Sequence, residues 1–176
     1  MVPQAAWTWS LSDIQTSLHA CRELSDPALI VILAPLHAPI MDIHNPSFVF
    51  APTTDGAETE QGTVQFPTNL ISLLMEESEG TMGCQDIYFT EEPGVEYLYP
   101  VLARQYPAVP VLPLLTGSCD SPMAKHLAGV LKRITTTYPD TLFIVAGNLS
   151  GEMAPTLALT HARNLQDALE NDIPLM

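Results

Sequence analysis

Residues 28–34 read Ala-Leu-Ile-Val-Ile-Leu-Ala and are closed by Pro35, and residues 141–146 read Thr-Leu-Phe-Ile-Val-Ala ahead of Gly147. Short, continuous apolar runs of this kind, rich in β-branched and aliphatic side chains and bounded by turn formers, mark strands buried on both faces. Such strands are the building blocks of parallel sheets, which must be covered on both sides. The predicted fold class is therefore α/β, a mainly parallel (mixed) central sheet with helices on both faces.

The segments between the two runs supply the helices. Residues 10–25 carry Leu11, Ile14, Leu18 and Cys21 at helical spacing, with Ser10 or Ser12 as N-cap, and end before Asp26-Pro27. Leu70, Ile71, Leu73, Leu74 and Met75 repeat that spacing and are stopped by Gly80 and Gly83. Val95 to Gln105 reads as a helix kinked or bounded by Pro100. Ser121-Pro122 opens another that runs to Ile134, and Thr160 to Asn171 forms the last. Residues 37–63 are dense in Pro and Gly and read as loop with one short strand at Phe48–Phe50. Ile87–Phe89 reads as a further short strand, and the two prolines of Val109–Leu115 argue for an edge position or a local irregularity there.

At 176 residues the chain fits one domain, 1–176, with an N-terminal helical segment (1–27) and a core (28–170). Its 20 acidic against 6 basic side chains give a net charge of −14. That field repels nucleic-acid phosphates and anionic membrane surfaces, so neither a nucleic acid nor a membrane is an expected partner. No basic leader or membrane-length apolar run is present, and the three cysteines are far apart without a C-x-x-C pairing. A reducing cytoplasm suits such a chain.

Three loops carry groups capable of chemistry. In Ala34-Pro35-Leu36-His37-Ala38-Pro39 an imidazole follows a buried strand, the crevice position of open α/β sheets. There a histidine ligates a metal, moves a proton, or simply hydrogen-bonds a neighbouring loop. His44 follows seven residues later in Asp42-Ile43-His44-Asn45. In Thr90-Glu91-Glu92-Pro93-Gly94-Val95-Glu96-Tyr97 three carboxylates cluster, Glu91, Glu92 and Glu96, and serve acid–base work when held close, with Glu92 and Glu96 the catalytic candidates, or a solvated helix start. In Gly147-Asn148-Leu149-Ser150-Gly151-Glu152 a strand ends in a turn exposing Asn148, Ser150 and Glu152, or one whose residues merely satisfy turn geometry. No phosphate-binding glycine loop, G-x-S-x-G elbow or H-E-x-x-H helix occurs, and neither Cys84 nor Cys119 has a basic neighbour close in sequence that would activate it.

Taken together, in this order and spacing, the three loops resemble the Memo family, whose fold is shared with class III extradiol ring-cleavage dioxygenases. Residues 30–37 resemble the family's strand ending Gly-Pro-Ser-His. Residues 91–102, Glu-Glu-Pro-Gly-Val-Glu-Tyr-Leu-Tyr-Pro-Val-Leu, resemble its Asp-Glu-His-Ser-Leu-Glu-x-x-Leu-Pro-Phe-Leu. Residues 143–151 are similar to its Ser-Ser-Asp-Leu-Ser-His strand end. The resemblance implies a metal-binding crevice, yet Pro93 and Gly151 stand where the family has histidines, and its Pro-His-Ala-Gly-Tyr motif has no counterpart. Of the ligand-type positions only His37 remains, and typical iron or zinc sites need three or four protein ligands.

The expectation is a Memo-like domain without a metal site or other cofactor, acting as a small-molecule-binding or accessory protein. Ligand contacts fall to His37, His44, Asn148, Ser150 and Glu152. The alternative is an enzyme, a hydrolase or an iron- or zinc-dependent oxidoreductase, with His37, Glu92 and Glu96 catalytic and His37 the one metal ligand retained. The apolar, proline-rich stretch from Tyr97 to Leu115 suggests a homo-oligomer as a third reading.

Overall fold

A computed structural model describes residues 2–3, 7–24, 26–37, 48–90, 92–117, 121–147 and 154–171. In chain order the elements are β1 (Val2–Pro3), α1 (Trp7–Leu24), β2 (Leu29–Pro35), β3 (Val49–Ala51), β4 (Gly56–Thr59), β5 (Gly62–Gln65), α2 (Thr68–Glu77) and β6 (Met82–Cys84). There follow a 3-10 turn (Asp86–Phe89), α3 (Pro93–Glu96), α4 (Tyr99–Gln105), β7 (Val111–Thr116), α5 (Ser121–Thr137), β8 (Thr141–Gly147) and α6 (Pro155–Glu170). Six strands form one sheet in the order β1-β8-β2-β7-β3-β6, flanked by helices, and β4 and β5 form a separate hairpin. The chain is thus an α/β protein.

β1, β8, β2 and β7 run parallel, with Ile32 in register with Pro113 on one side and Ile144 on the other. β3 reverses direction against β7, pairing Phe50 with Leu115, and β6 runs parallel to β3. Leu29, Ile30, Val31 and Ile32 of β2 have no exposed surface, as expected for the innermost strand. β8 departs from that expectation. Ile144 and Ala146 are buried, but Val145 is 39 % exposed, and Phe143 and Leu33, the latter paired with Val145, are only partly covered.

Of the two alternatives for the proline-containing run, the edge position is overturned, since β7 lies between β2 and β3 despite Pro110 and Pro113. Its bonds to β2 run through the even-numbered residues: Pro110 accepts from Ile30 N (3.0 Å) and Thr116 from Leu36 N (2.9 Å). Pro113 therefore turns its missing donor toward β3, which pairs only with Leu115 and Thr116. A proline survives inside a sheet where no ladder bond is asked of it.

Other boundaries shift for local reasons. α1 begins at Trp7, so Ser10 and Ser12 lie inside the helix and neither caps it; Ser10 is buried with Ile14 and Leu18. The expected strand at Ile87–Phe89 is instead a 3-10 turn: Tyr88 N and Thr90 N bond back to Gln85 O and Ile87 O, Tyr88 packs edge-on against Phe50 (4.9 Å), and Ile87 is exposed. The strand of that region is β6, just before it. Pro100 bounds α4 at its first turn, dividing the expected helix into α3 and α4, and α6 starts at Pro155 rather than Thr160. The hairpin β4–β5 was not anticipated from a glycine- and proline-dense stretch. It needs Gly56, where a Cβ would lie 2.4 Å from Val64 O, and Gly62, at φ +130°.

The stretch that suggested self-association is mostly interior: Tyr99, Val101, Leu102, Ala103, Tyr106, Val111, Leu112, Leu114 and Leu115 are buried. Among the described residues no helix is long and apolar enough to cross a membrane.

Candidate functional site

β2 delivers His37 two residues beyond its last paired residue, Pro35, at the carboxyl edge of the parallel strands. The segment that meets it arrives from 55 residues downstream. Glu92 has an extended backbone (φ −83°, ψ 108°) and caps α3, whose first residue is Pro93. Proline suits that position because its missing N–H would have no helical partner there. The Glu92 carboxylate, 3 % exposed, accepts from Gly94 N at 3.1 Å through Oε1, while its backbone carbonyl accepts from Val95 N and Glu96 N.

The same carboxylate grips His37 twice. Oε2 accepts the His37 backbone N–H at 3.0 Å, and Oε1 lies 2.9 Å from the imidazole Nδ1. A buried carboxylate is tolerable only when its oxygens meet donors, and three distinct groups converge on this one. The imidazole is fixed in orientation by its Nδ1 contact, yet 51 % of the His37 side chain is exposed. The Nδ1 contact thus anchors the ring to a buried carboxylate while about half of the side chain stays exposed.

Of the residues named from the sequence, the structure therefore brings His37 and Glu92 together. Glu96 is not part of the pair: it sits exposed on α3, bonded to Glu92 only through its backbone N–H, and among the described residues its carboxylate makes no hydrogen bond or ion pair with either side chain. His44, Asn148, Ser150 and Glu152 lie outside the described residues. Gly94, whose amide donates to the carboxylate, is not singled out by the sequence reading; the Glu-Pro-Gly order, a cap followed by proline and a small residue, is the signal that would have found it.

Among the described residues no three His, Cys, Asp or Glu side chains gather as a metal site would require. The donor set at His37 is one imidazole whose Nδ1 is engaged by a carboxylate, with Pro93 beside it offering no ligand atom. These described residues do not fit a firmly held divalent cation. Cys84 is no better placed for nucleophilic work, because burial and the neighbouring Asp86 charge push its thiol pKa up.

The chain matches no family model and no curated protein.

Proposed function

We propose that this chain is a Memo-like domain that binds a small molecule at the carboxyl edge of β2, acting as a cytoplasmic binding or accessory protein rather than through a bound metal. The observation that supports it is the His37–Glu92 pair: a 3 %-exposed carboxylate fixes a half-open imidazole at the strand edge where α/β sheets hold their ligands. The resemblance sets the same two segments on one crevice, and they meet here across 55 residues. An imidazole so held recognises a molecule carrying a hydroxyl or an acidic oxygen.

The pair also favours a second reading, a hydrolase in which His37 acts as general base. With Nδ1 held by Glu92, Nε2 is the nitrogen that would exchange a proton with a bound molecule, the role a carboxylate-oriented histidine plays in acyl transfer. One experiment separates the two. A panel of phenols and p-nitrophenyl esters is added to labelled protein while the His37 and Gly94 resonances are followed and nitrophenolate release is recorded. Saturable shifts without turnover support the binding reading. Turnover lost in His37→Ala supports the hydrolase, and neither signal with any probe overturns both.

A further inference from the structure

A cavity of about 560 Å³ opens between α1, α4 and the turn of the β4–β5 hairpin, with Leu11, His19, Gln61, Val101, Arg104 and Gln105 among its lining residues. Neither His37 nor Glu92 contributes to it. We propose that this cavity is a second binding site, taking a small carboxylic acid with an apolar body, its carboxylate on Arg104.

The volume falls in the range of small-molecule sites, and the wall has the composition such sites use, apolar surface with a few polar groups. Leu11, Pro100 and Val101 supply the apolar part. The electrostatics give the sign of the ligand. The chain holds 20 acidic and 6 basic side chains, yet the lining residues include no Asp or Glu and do include Arg104 and His19. Arg133, by contrast, is paired with Glu77 at 2.5 Å, and Arg22 lies over the Tyr106 ring at 5.9 Å. Among the described residues Arg104 has no ion pair, while His19 lies 3.6 Å from Glu23. A guanidinium offers parallel N–H donors whose spacing matches a carboxylate.

A second polar requirement comes from Gln105. Its Oε1 is buried with no hydrogen-bond partner, although the residue forms part of the wall. A ligand N–H or O–H reaching that side would satisfy an acceptor the fold leaves unmet. The class is therefore narrowed to acids that also carry a donor, such as hydroxy or N-acylamino acids.

Three probes of one shape test the assignment in the intact chain: 4-phenylbutanoate, 4-phenylbutan-1-ol and 4-phenylbutylamine, titrated against 15N-labelled protein. The acid is expected to shift the amides of Gln61, Val101 and Arg104 and to bind about tenfold more tightly than the alcohol, with the amine weaker still. Arg104→Gln, an exposed substitution, should bring the acid down to the alcohol's affinity. Arg163→Gln, which removes the same charge from α6, should leave it unchanged. Equal binding of acid and alcohol, an unaltered affinity in Arg104→Gln, an equal loss in both variants, or no saturable shift up to about 10 mM would each overturn the proposal.

Discussion

Two carboxylates in this fold hold one residue of a distant loop by its backbone N–H and its side chain at once. Glu92 holds His37 through N (3.0 Å) and Nδ1 (2.9 Å). Asp86 holds Thr53 through N (2.7 Å) and Oγ1. The geometry is the same and the surroundings are opposite: Glu92 is 3 % exposed, whereas Asp86 and Thr53 sit at the surface. In water the grip competes with solvent and serves to pin a turn. Under the helix cap it cannot be replaced by solvent, and the residue it pins is an imidazole. What makes Glu92 a functional candidate is thus its burial and its partner, not its hydrogen-bond pattern.

The comparison breaks most readily at Glu92. Glu92→Ala leaves the His37 and Gly94 amides without their acceptor, and a loss of about 2–3 kcal/mol is expected from urea denaturation. A change as small as a surface substitution would mean that solvent reaches the site and the contrast is false. Glu92→Gln keeps the shape and one acceptor oxygen, so about 1 kcal/mol should be lost, with the His37 ring resonances moving further than in any Asp86 variant. Asp86→Asn should cost no more than about 0.5 kcal/mol, as surface changes do.

The smallest effect sharpens the contrast through pH. The Thr53 hydroxyl, opposed in part by desolvation and aided by the Thr53 and Thr54 amides, holds the Asp86 pKa below its ordinary 3.8. A folded-state pKa lower than the unfolded one gives stability that is fully present above the ordinary value and lost as pH falls through the lowered one. The difference in stability between the parent and Asp86→Asn should therefore be constant at pH 5 to 7 and shrink below about pH 4. A difference that instead grows with acidity would reverse the assignment.

Much of the sheet was legible because periodicity reports burial directly. β2 shows this: four consecutive residues without exposed surface follow from an unbroken apolar run. β8 carries nearly the same composition, yet Val145 remains 39 % exposed. Composition marks a strand; what lies over each face depends on where connections run, which no local pattern encodes. The hairpin at Gly56–Gln65 was missed for the complementary reason, since its strands cover α4 with few apolar residues and are shaped by two glycines. At the site, His37 was visible from its place after a buried strand. Its partnership with Glu92 spans 55 residues and was only one of several possible pairings of nearby acids. Glu96 looked equivalent in sequence, but helical geometry turns it out to solvent four residues after the cap.

Pro113 of β7 and Pro52, just after β3, bear on how this sheet assembles. Phe50 lies opposite Leu115, and continuing that register by two residues would set Pro52 opposite Pro113. Neither residue has an N–H to exchange, so the antiparallel ladder has a built-in end stop. A slipped alignment of β3 along β7 would bring a proline to a position that demands a donor. The short seam is in this way a keyed joint, in which the two-residue slips that would set Phe50 opposite Pro113 or Pro52 opposite Leu115 are penalised.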